Sequence, residues 1–584
     1  MSNNSEPGRF LLLIFIICLL PVDRNAVARQ SYPAGIGQFG KMIMIDGLPV
    51  QFRLGNGTRF LGNPVIRPEA HWEDLAVYMY GTVLYDSSDS LYKMWYKAIS
   101  QKGPSTKICY ATSPDGYRWS KPIIGTSYFD GSNQNNIVFI ADASTTPRLY
   151  YESFSVIQET SSENNRFTAF FTYGPGIADE WSKTSFFFRA VSNDGKVWEM
   201  DPNDALNHVT DEVMSVVPRR SGDSLMVLTR ARDGSRTPMI SKSASGLLWT
   251  EPKVIISNED LRVPESVSYW TCLSVFDSNL VGLMGVYRYE LGEIYPTLIF
   301  STDAGENWVI PDPRISALRH PDHLAFDSKM IFAPNNPFMK VGDEIWMYYS
   351  SFSTLHGEPF VAGSGAISLV RWDASRFLGV GIEDHVSEMF VLKKIVDSPI
   401  SMDFQVGLDG AIDVGLVDEE GDFIPGFGLN DFDTIRFGEK RELSWKGQSV
   451  ITEFANQYIG FVFRMKNATL FDMSGVEEAS SERYRAAIIP IKNSELSVNY
   501  PNPFNSETII TYKIEATSRV RAEILNVLGQ RIEILEDNVM GAGQHQFYWK
   551  PVNKASGVYF CQLEVSEING GRVKRLTGKL LYLK

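Results

Sequence analysis

Carboxylates recur along this chain at one kind of place, ahead of or at the edge of strand-like apolar runs. His71, Trp72, Glu73 and Asp74 precede YMYGTVLYD, and Asp142 closes NIVFIAD. Asp211 and Glu212 precede VMSVVPRR, Glu265 precedes the run holding WTCLSVFD, and Asp327 precedes KMIFAP. Arg230 and Arg232 end LMVLTRAR, and Arg288 lies in LVGLMGVYRYE. If these runs are the innermost strands of sheets set around an axis, their opening residues converge on one central pocket. A pocket mixing carboxylates, arginines and aromatic rings suits a sugar, whose hydroxyls take hydrogen bonds and whose apolar face stacks on a ring. Two carboxylates facing across it are what glycoside hydrolysis uses, one protonated to release the leaving oxygen and one ionised to attack or to activate water. The expected catalytic groups are Glu73, Asp142 and Glu212, with Glu73 the strongest. Trp72, Asp74, Asp211, Arg230, Arg288 and Asp327 are expected to hold the substrate. The pattern calls for no cofactor and leaves a central metal ion open.

The elements that must position these residues are marked by a repeated phrase. It reads SPDGYRW at Ser113–Trp119, SNDGKVW at Ser192–Trp198, SASGLLW at Ser243–Trp249 and STDAGENW at Ser301–Trp308. Each copy follows a strand-like run, so a tight turn and then a Trp recur at the same place in successive units. Glycine supplies the backbone freedom, Asp or Ser closes the turn, and the Trp buries its face against the adjoining strand. The phrase therefore reads as a staple of the sheet and not as a ligand site. Each phrase ends a set of three β runs, and a fifth set ends at AISLVRWDASRFLGV. Five antiparallel sets with unsatisfied edges are best reconciled by closing in a ring, which predicts a five-bladed β-propeller over 45–385.

Outside that span the texture changes. Residues 1–28 hold an apolar stretch, Phe10–Val22, followed by Ala26-Val27-Ala28, which reads as a cleaved export signal too short to span a bilayer. No later stretch is long and apolar enough to cross a membrane. The net charge of −14 repels polyphosphate, which argues against a nucleic-acid partner. Cys109, Cys272 and Cys561 each sit inside a strand-like run and read as buried free thiols. Residues 386–475 alternate apolar and polar positions with turns at Asp409-Gly410 and Glu420-Gly421, which predicts a β-sandwich. Residues 476–494 read as a linker. Residues 495–584 alternate again, in TIITYKI, RAEILNV and VYFCQLEV, and predict a small immunoglobulin-like β-sandwich. That last module carries 11 basic against 9 acidic residues, opposite in sign to the rest of the chain.

Two resemblances sharpen these expectations. The segment NPVIRPEAHWEDLAVYMYGTVLYDSSDSLYKMWYKA, with KICYATSPDGYRWSKP behind it, resembles the opening blade of the five-bladed propellers of glycoside hydrolase families 32 and 43. The repeated phrase resembles the Asp-box of sialidases, a structural turn in that family. The resemblance implies an exported glycoside hydrolase acting on an extracellular glycan. It departs from family 32 at one point, because Tyr78 stands where that family carries its nucleophilic Asp; either Glu73 or Asp74 has the role, or the ring has kept its shape without the chemistry. The second reading is thus a non-catalytic, glycan-binding propeller at the cell surface. At the other end, NYPNPFN from Asn499, then LGQ, AGQH, SGVY and a basic last strand, KLLYLK, closely resemble the C-terminal sorting domain of the type IX secretion system. That resemblance implies a partner in the secretion machinery, export across both membranes, and a secreted or surface-bound product.

Overall fold

The computed structural model describes residues 43–44, 51–102, 106–140, 149–158, 166–175, 186–200, 213–218, 225–231, 235–261, 263–276, 279–301, 305–311, 313–318, 326–418, 423–478, 495–496, 499–514, 518–527, 530–540, 543–552, 554–567 and 573–583. Among them every element is a strand apart from three short 3-10 turns, at Asn258–Leu261, Ala374–Arg376 and Thr452–Phe454. The expected export signal lies outside the described residues.

The repeating sets form antiparallel sheets in chain order. Unit one pairs Ala76–Asp86, Leu91–Ile99 and Thr106–Ser113, with Ile137–Ile140 on the outside. Unit two pairs Leu149–Gln158, Phe167–Pro175, Phe186–Ser192 and Glu199–Met200. Unit three pairs Val213–Pro218, Leu225–Arg230, Pro238–Ser243 and Lys253–Val254. Unit four pairs Ser266–Phe276, Asn279–Arg288 and Glu293–Ser301. Unit five pairs Met330–Phe332, Glu344–Phe352 and Gly365–Asp373, and its outer edge receives Thr58–Arg59 from ahead of unit one. Units four, five and one share a continuous sheet through single parallel bridges, Ile294 to Met330 and Gly365 to Ala76.

One assignment is corrected by this pairing. NIVFIAD was expected to open unit two, yet Ile137–Ile140 is the outermost strand of unit one. The strand that opens unit two is LYYESFSVIQ, whose Glu152, Ser153, Ser155 and Gln158 weaken the apolar signal. Two of those polar positions serve neighbours: Ser155 Oγ accepts from Val216 N–H of unit three at 2.9 Å, and Gln158 Nε2 donates to Asp86 of unit one at 3.0 Å.

The same device recurs at the other junctions. Thr82 Oγ1 accepts from Val156 N–H at 2.9 Å, joining units one and two. Ser215 Oγ accepts from Leu273 N–H at 3.2 Å, joining three and four. Ser274 Oγ accepts from Phe338 N–H at 2.9 Å, joining four and five. Ser350 Oγ accepts from Met79 N–H at 2.8 Å, joining five back to one. Backbone donors on the first strands can be offered sideways because each of these strands pairs within its own unit along one edge only. The first strands of units one to four also each carry a break in register near the start, at Tyr78/Thr82, Glu152/Phe154, Val213/Ser215 and Ser268/Thr271. A bulge leaves residues unpaired within its own sheet and re-aims their side chains. Gly81 is required at the first of these breaks, since a Cβ there would lie 1.9 Å from the Trp95 carbonyl oxygen.

The repeated phrase folds as a turn that also docks on the preceding unit. In the second copy, Gly195 N–H donates to Ser192 Oγ (2.9 Å), Asp194 Oδ1 accepts from Lys196 and Val197 N–H, and Trp198 Nε1 donates to Gly195 O. Gly195 has a φ of +77°. Its carbonyl also accepts from Nε1 of the buried Trp95 in unit one. The first copy rests in the same way on Tyr348 of unit five, whose hydroxyl donates to Gly116 O. Bulky rings and turn carbonyls thus weld neighbouring units, an inter-unit role beyond the expected hairpin staple.

After unit five the strand Leu378–Ile395 continues without interruption through the expected boundary at 386, and Gln51–Leu54 from ahead of unit one pairs with its first residues. With Ser401–Val417 and Tyr458–Ser474 it builds one continuously hydrogen-bonded sheet. All three long strands share a break in register, between Ile382 and Val386 and between Val406 and Ala411 against Ala468/Lys466. Val476–Glu478 pairs with Lys393–Ile395, and the remainder of the expected linker lies outside the described residues. A continuous core, from Phe300 and Phe52 through Val380 to Phe404 and Phe463, joins this sheet to units three to five.

The C-terminal module is a two-layered sandwich. One layer orders Glu495–Leu496, Thr508–Ile514 and Gly543–Trp549; the other orders Arg531–Met540, Ser518–Leu525, Gly557–Glu567 and Val573–Tyr582. Alternation in TIITYKI buries Thr508, Ile510, Tyr512 and Ile514 on one face, as period two demands. The core gathers Phe504, Tyr512, Trp549, Cys561 and Tyr582.

Candidate functional site

The bulged openings of the first strands carry aromatic side chains, and these meet. Tyr78 and Tyr80 of unit one lie 5.2 Å apart between ring centroids. Tyr80 stacks on Phe332 of unit five at 5.7 Å, and Phe332 meets Tyr269 of unit four at 5.7 Å. Tyr78 also packs on Phe352 and Phe360 of unit five. Arg230 of unit three sits over the Tyr269 ring at 5.6 Å and donates to the Tyr269 carbonyl at 2.7 Å. Arg236, also of unit three, sits over the same ring at 4.5 Å. Lys97 of unit one lies over both Tyr78 and Tyr80. Side chains of four units therefore converge where the first strands begin.

At the rim of this cluster His356, on the loop between the second and third strands of unit five, reaches across to unit four. Its Nε2 is 2.8 Å from the Tyr269 hydroxyl and its Nδ1 is 3.1 Å from the Tyr287 hydroxyl. The loop is pinned by His356 N–H donating to Gly292 O at 2.8 Å. Burial, together with the positive charges of Arg236 and Arg230, pushes the imidazole down to about 4, so it is neutral in ordinary conditions. A neutral imidazole has one N–H and one lone pair. His356 must then donate to one phenol and accept from the other, and the phenol that accepts keeps its own proton to give elsewhere. Tyr269, Tyr287, Arg236 and His356 are half-buried, while Tyr78, Tyr80 and Phe332 form the buried floor. Arg236 adopts a left-handed backbone, φ +56°, of the kind tolerated where the surroundings hold it in place.

The expected site residues are distributed differently. Trp72 and Glu73 belong to one buried network inside unit one. Trp72 Nε1 donates to Asn136 Oδ1 (2.8 Å), Asn136 Nδ2 donates to the Tyr96 hydroxyl (2.8 Å), and Tyr96 donates to Glu73 Oε2 (3.0 Å). Glu73 Oε1 accepts from Lys121 and from Glu69 N–H, so both carboxylate oxygens are occupied. Asp74 accepts from Gln101 N–H. Asp327 is buried against Arg59 (2.9 Å) and the Tyr349 hydroxyl (2.7 Å), holding the strand Thr58–Arg59 to unit five. Arg288 is exposed beside Glu293. Of the expected set, Arg230 lies in the converging cluster. Asp142, Asp211 and Glu212 lie outside the described residues, and the strand that Asp142 follows belongs to unit one's outer edge. Among the described residues no group of three or more His, Cys, Asp or Glu side chains is placed to hold a metal ion.

The residues that sequence reasoning passed over are Tyr80, Tyr269, Tyr287, Arg236 and His356. The available signal was the short aromatic–polar cluster heading two of the first strands, YMYG in unit one and SYWT in unit four, where strand alternation fails.

At the C-terminal end, residues 498–575 match the family model for the secretion system C-terminal sorting domain. This module is a type IX sorting domain. Its opening motif is fastened to the last strand: Asn502 Nδ2 donates to Lys579 O, Leu581 N–H donates to Asn502 Oδ1, and Phe504 exchanges backbone hydrogen bonds with Leu581 and Leu583. No curated protein matches the chain. Solved structures similar to it include a thermostable family-43 glycoside hydrolase (13% identity, 55% of this chain and 95% of that one, TM-score 0.37). Others are a GH32 β-fructofuranosidase of Bombyx mori (9%, 70% and 94%, TM-score 0.36) and a xylan β-1,4-xylosidase of Bacillus halodurans (10%, 89% and 91%, TM-score 0.36). The architecture rests on the strand pairings and hydroxyl bridges of this chain.

Proposed function

We propose that this is an exported carbohydrate-active protein whose five units close as a five-bladed β-propeller and present a saccharide site at the head of their first strands. The observation that carries the reading is the convergence of Tyr78, Tyr80, Tyr269 and Phe332, from three units, with Arg230 and Arg236 from a fourth. Aromatic faces offer a sugar ring its apolar partner, and the phenols, imidazole and guanidinium groups offer hydrogen bonds to its oxygens. The bridges that link each unit to the next, and the fifth to the first, support the ring. The sorting domain supports export to the outer membrane or beyond, with the N-terminal segment as the inner-membrane signal. If the site also hydrolyses a glycosidic bond, its carboxylates are sought at Asp211 and Glu212, which directly precede the first strand of unit three at Val213. Glu73 and Asp327 are already engaged by Lys121, Tyr96, Arg59 and Tyr349.

The test is a glycan array probed with the full chain and with Tyr269→Ala. Binding of at least one glycan, weakened roughly tenfold by loss of a stacking ring, is expected. No binding to any glycan by a folded protein would remove the reading. Release of reducing ends from a bound glycan, abolished in Glu212→Gln with binding kept, would mark a hydrolase; binding without turnover would mark the glycan-binding alternative.

A further inference from the structure

We infer that the saccharide taken by this site is anionic, carrying a carboxylate or a sulfate ester that meets Arg236 at the rim of the Tyr269 ring. The inference rests on the saccharide reading of the same site and narrows it to a substrate class. In a chain of net charge −14, three cationic side chains, Lys97, Arg230 and Arg236, are gathered onto one aromatic cluster. Arg236 forms no ion pair among the described residues, and its Nη1 is buried without a hydrogen-bond partner. A buried guanidinium N–H without an acceptor is costly, and such a group is retained where a ligand completes it. Arginine's planar fork matches the paired oxygens of a carboxylate or sulfate.

The neighbouring polar groups have the same polarity. Because His356 is neutral and fixed between Tyr269 and Tyr287, one of those phenols retains a proton to donate. The rim is therefore supplied with donors, from guanidinium and phenol, and a ligand rich in acceptor oxygens fits it better than a neutral sugar, whose hydroxyls need acceptors too. Glu265, the described carboxylate nearest in sequence to Tyr269, is exposed. Stacking on Tyr269 would place the ring of the saccharide beside the cations, so that its acidic substituent is read together with its shape.

The experiment titrates the full chain calorimetrically with galacturonic acid trisaccharide, sulfated galactotriose and neutral galactotriose, at low and at physiological salt. One or both anionic trisaccharides should bind at least tenfold tighter than galactotriose, with the advantage shrinking as salt screens the charges. Arg236→Gln should erase that advantage, and Arg236→Lys should retain part of it, while the thermal midpoints stay close to that of the parent. The preferred anion identifies carboxylate or sulfate as the group recognised. Equal or tighter binding of galactotriose overturns the inference and leaves the saccharide site standing. Binding of none of the three overturns it as well, and the fate of the broader reading is then decided by the array. An anionic preference that survives Arg236→Gln also overturns it.

Discussion

His356 illustrates how a single residue's environment sets what it can do. Its folded value of about 4 lies below the ordinary 6.5, so between those values the unfolded chain binds more protons than the folded one. The stability contributed by the neutral imidazole is complete above about pH 6.5 and is lost as the pH falls toward about 4. Urea midpoints measured at about pH 7 and about pH 4.5 should therefore fall with acidity, and more steeply than in His356→Asn, where this slope is missing. Asp86 shows the opposite case. Burial pushes its carboxyl up, but hydrogen bonds from Lys93 and Ser88 outweigh burial and hold it far below the usual range. Asp86 also accepts from Arg166 and Gln158 of unit two, so one buried carboxylate ties two units together. Replacing Asp86 by Ala leaves the buried Lys93 ammonium with the exposed Asp89 as its remaining carboxylate partner, at 2.9 Å, and should cost up to about 3 kcal/mol in denaturant unfolding. Carboxylates were legible in the sequence, but what each one does was not. Glu73, Asp86 and Asp327 look alike as letters, and each is committed to a buried partner supplied from elsewhere in the chain.

At the scale of elements the strongest signal was the repeated phrase, because a left-handed glycine between a Ser or Asp and a Trp can be read locally. What could not be read is where the turn docks, which depends on the preceding unit. A Cβ on Gly195 would come 2.6 Å from the Trp95 ring, and its φ of +77° suits glycine alone. Gly195→Ala should lower stability by more than about 1 kcal/mol, with loss of the near-ultraviolet signal of packed tryptophan accompanying unfolding. The strand opening unit two was hidden for a related reason. Its Ser153 and Ser155 are buried polar residues, and Ser155 takes its partner from unit three, so hydropathy favoured the more apolar Ile137–Ile140. Likewise Tyr78, Tyr80 and Tyr269 resemble core residues by type, and their meeting across units depends on bulges that the sequence does not mark.

The whole molecule has two parts, five sheet units sharing a core with a sixth sheet, and a sorting sandwich after the segment 479–494. The sorting motif was legible over its full length because its residues act on one another within a short span. Asn499 Nδ2 donates to Thr508 Oγ1 and to Pro501 O, Asn502 clasps the last strand, and Phe504 packs on Trp549 and Tyr582. The motif and the final strand thus form one folded unit, which explains why an N-terminal signature and a C-terminal strand occur together. Phe504→Ala should destabilise this sandwich by about 3–5 kcal/mol while the five sheet units keep their own transition, so the two should separate in calorimetry. A chain ending at Glu478 keeps Val476–Glu478 paired with Lys393–Ile395 and loses the whole sandwich. It should fold and bind glycan as the full chain does, yet remain inside the outer membrane when expressed in a host with this secretion system. Cell fractionation checks the outcome. Phe504→Ala should give an intermediate phenotype, with export falling in proportion to the fraction of sandwich unfolded. Export of the shortened chain at the level of the full one would show that the sandwich is not what the machinery reads.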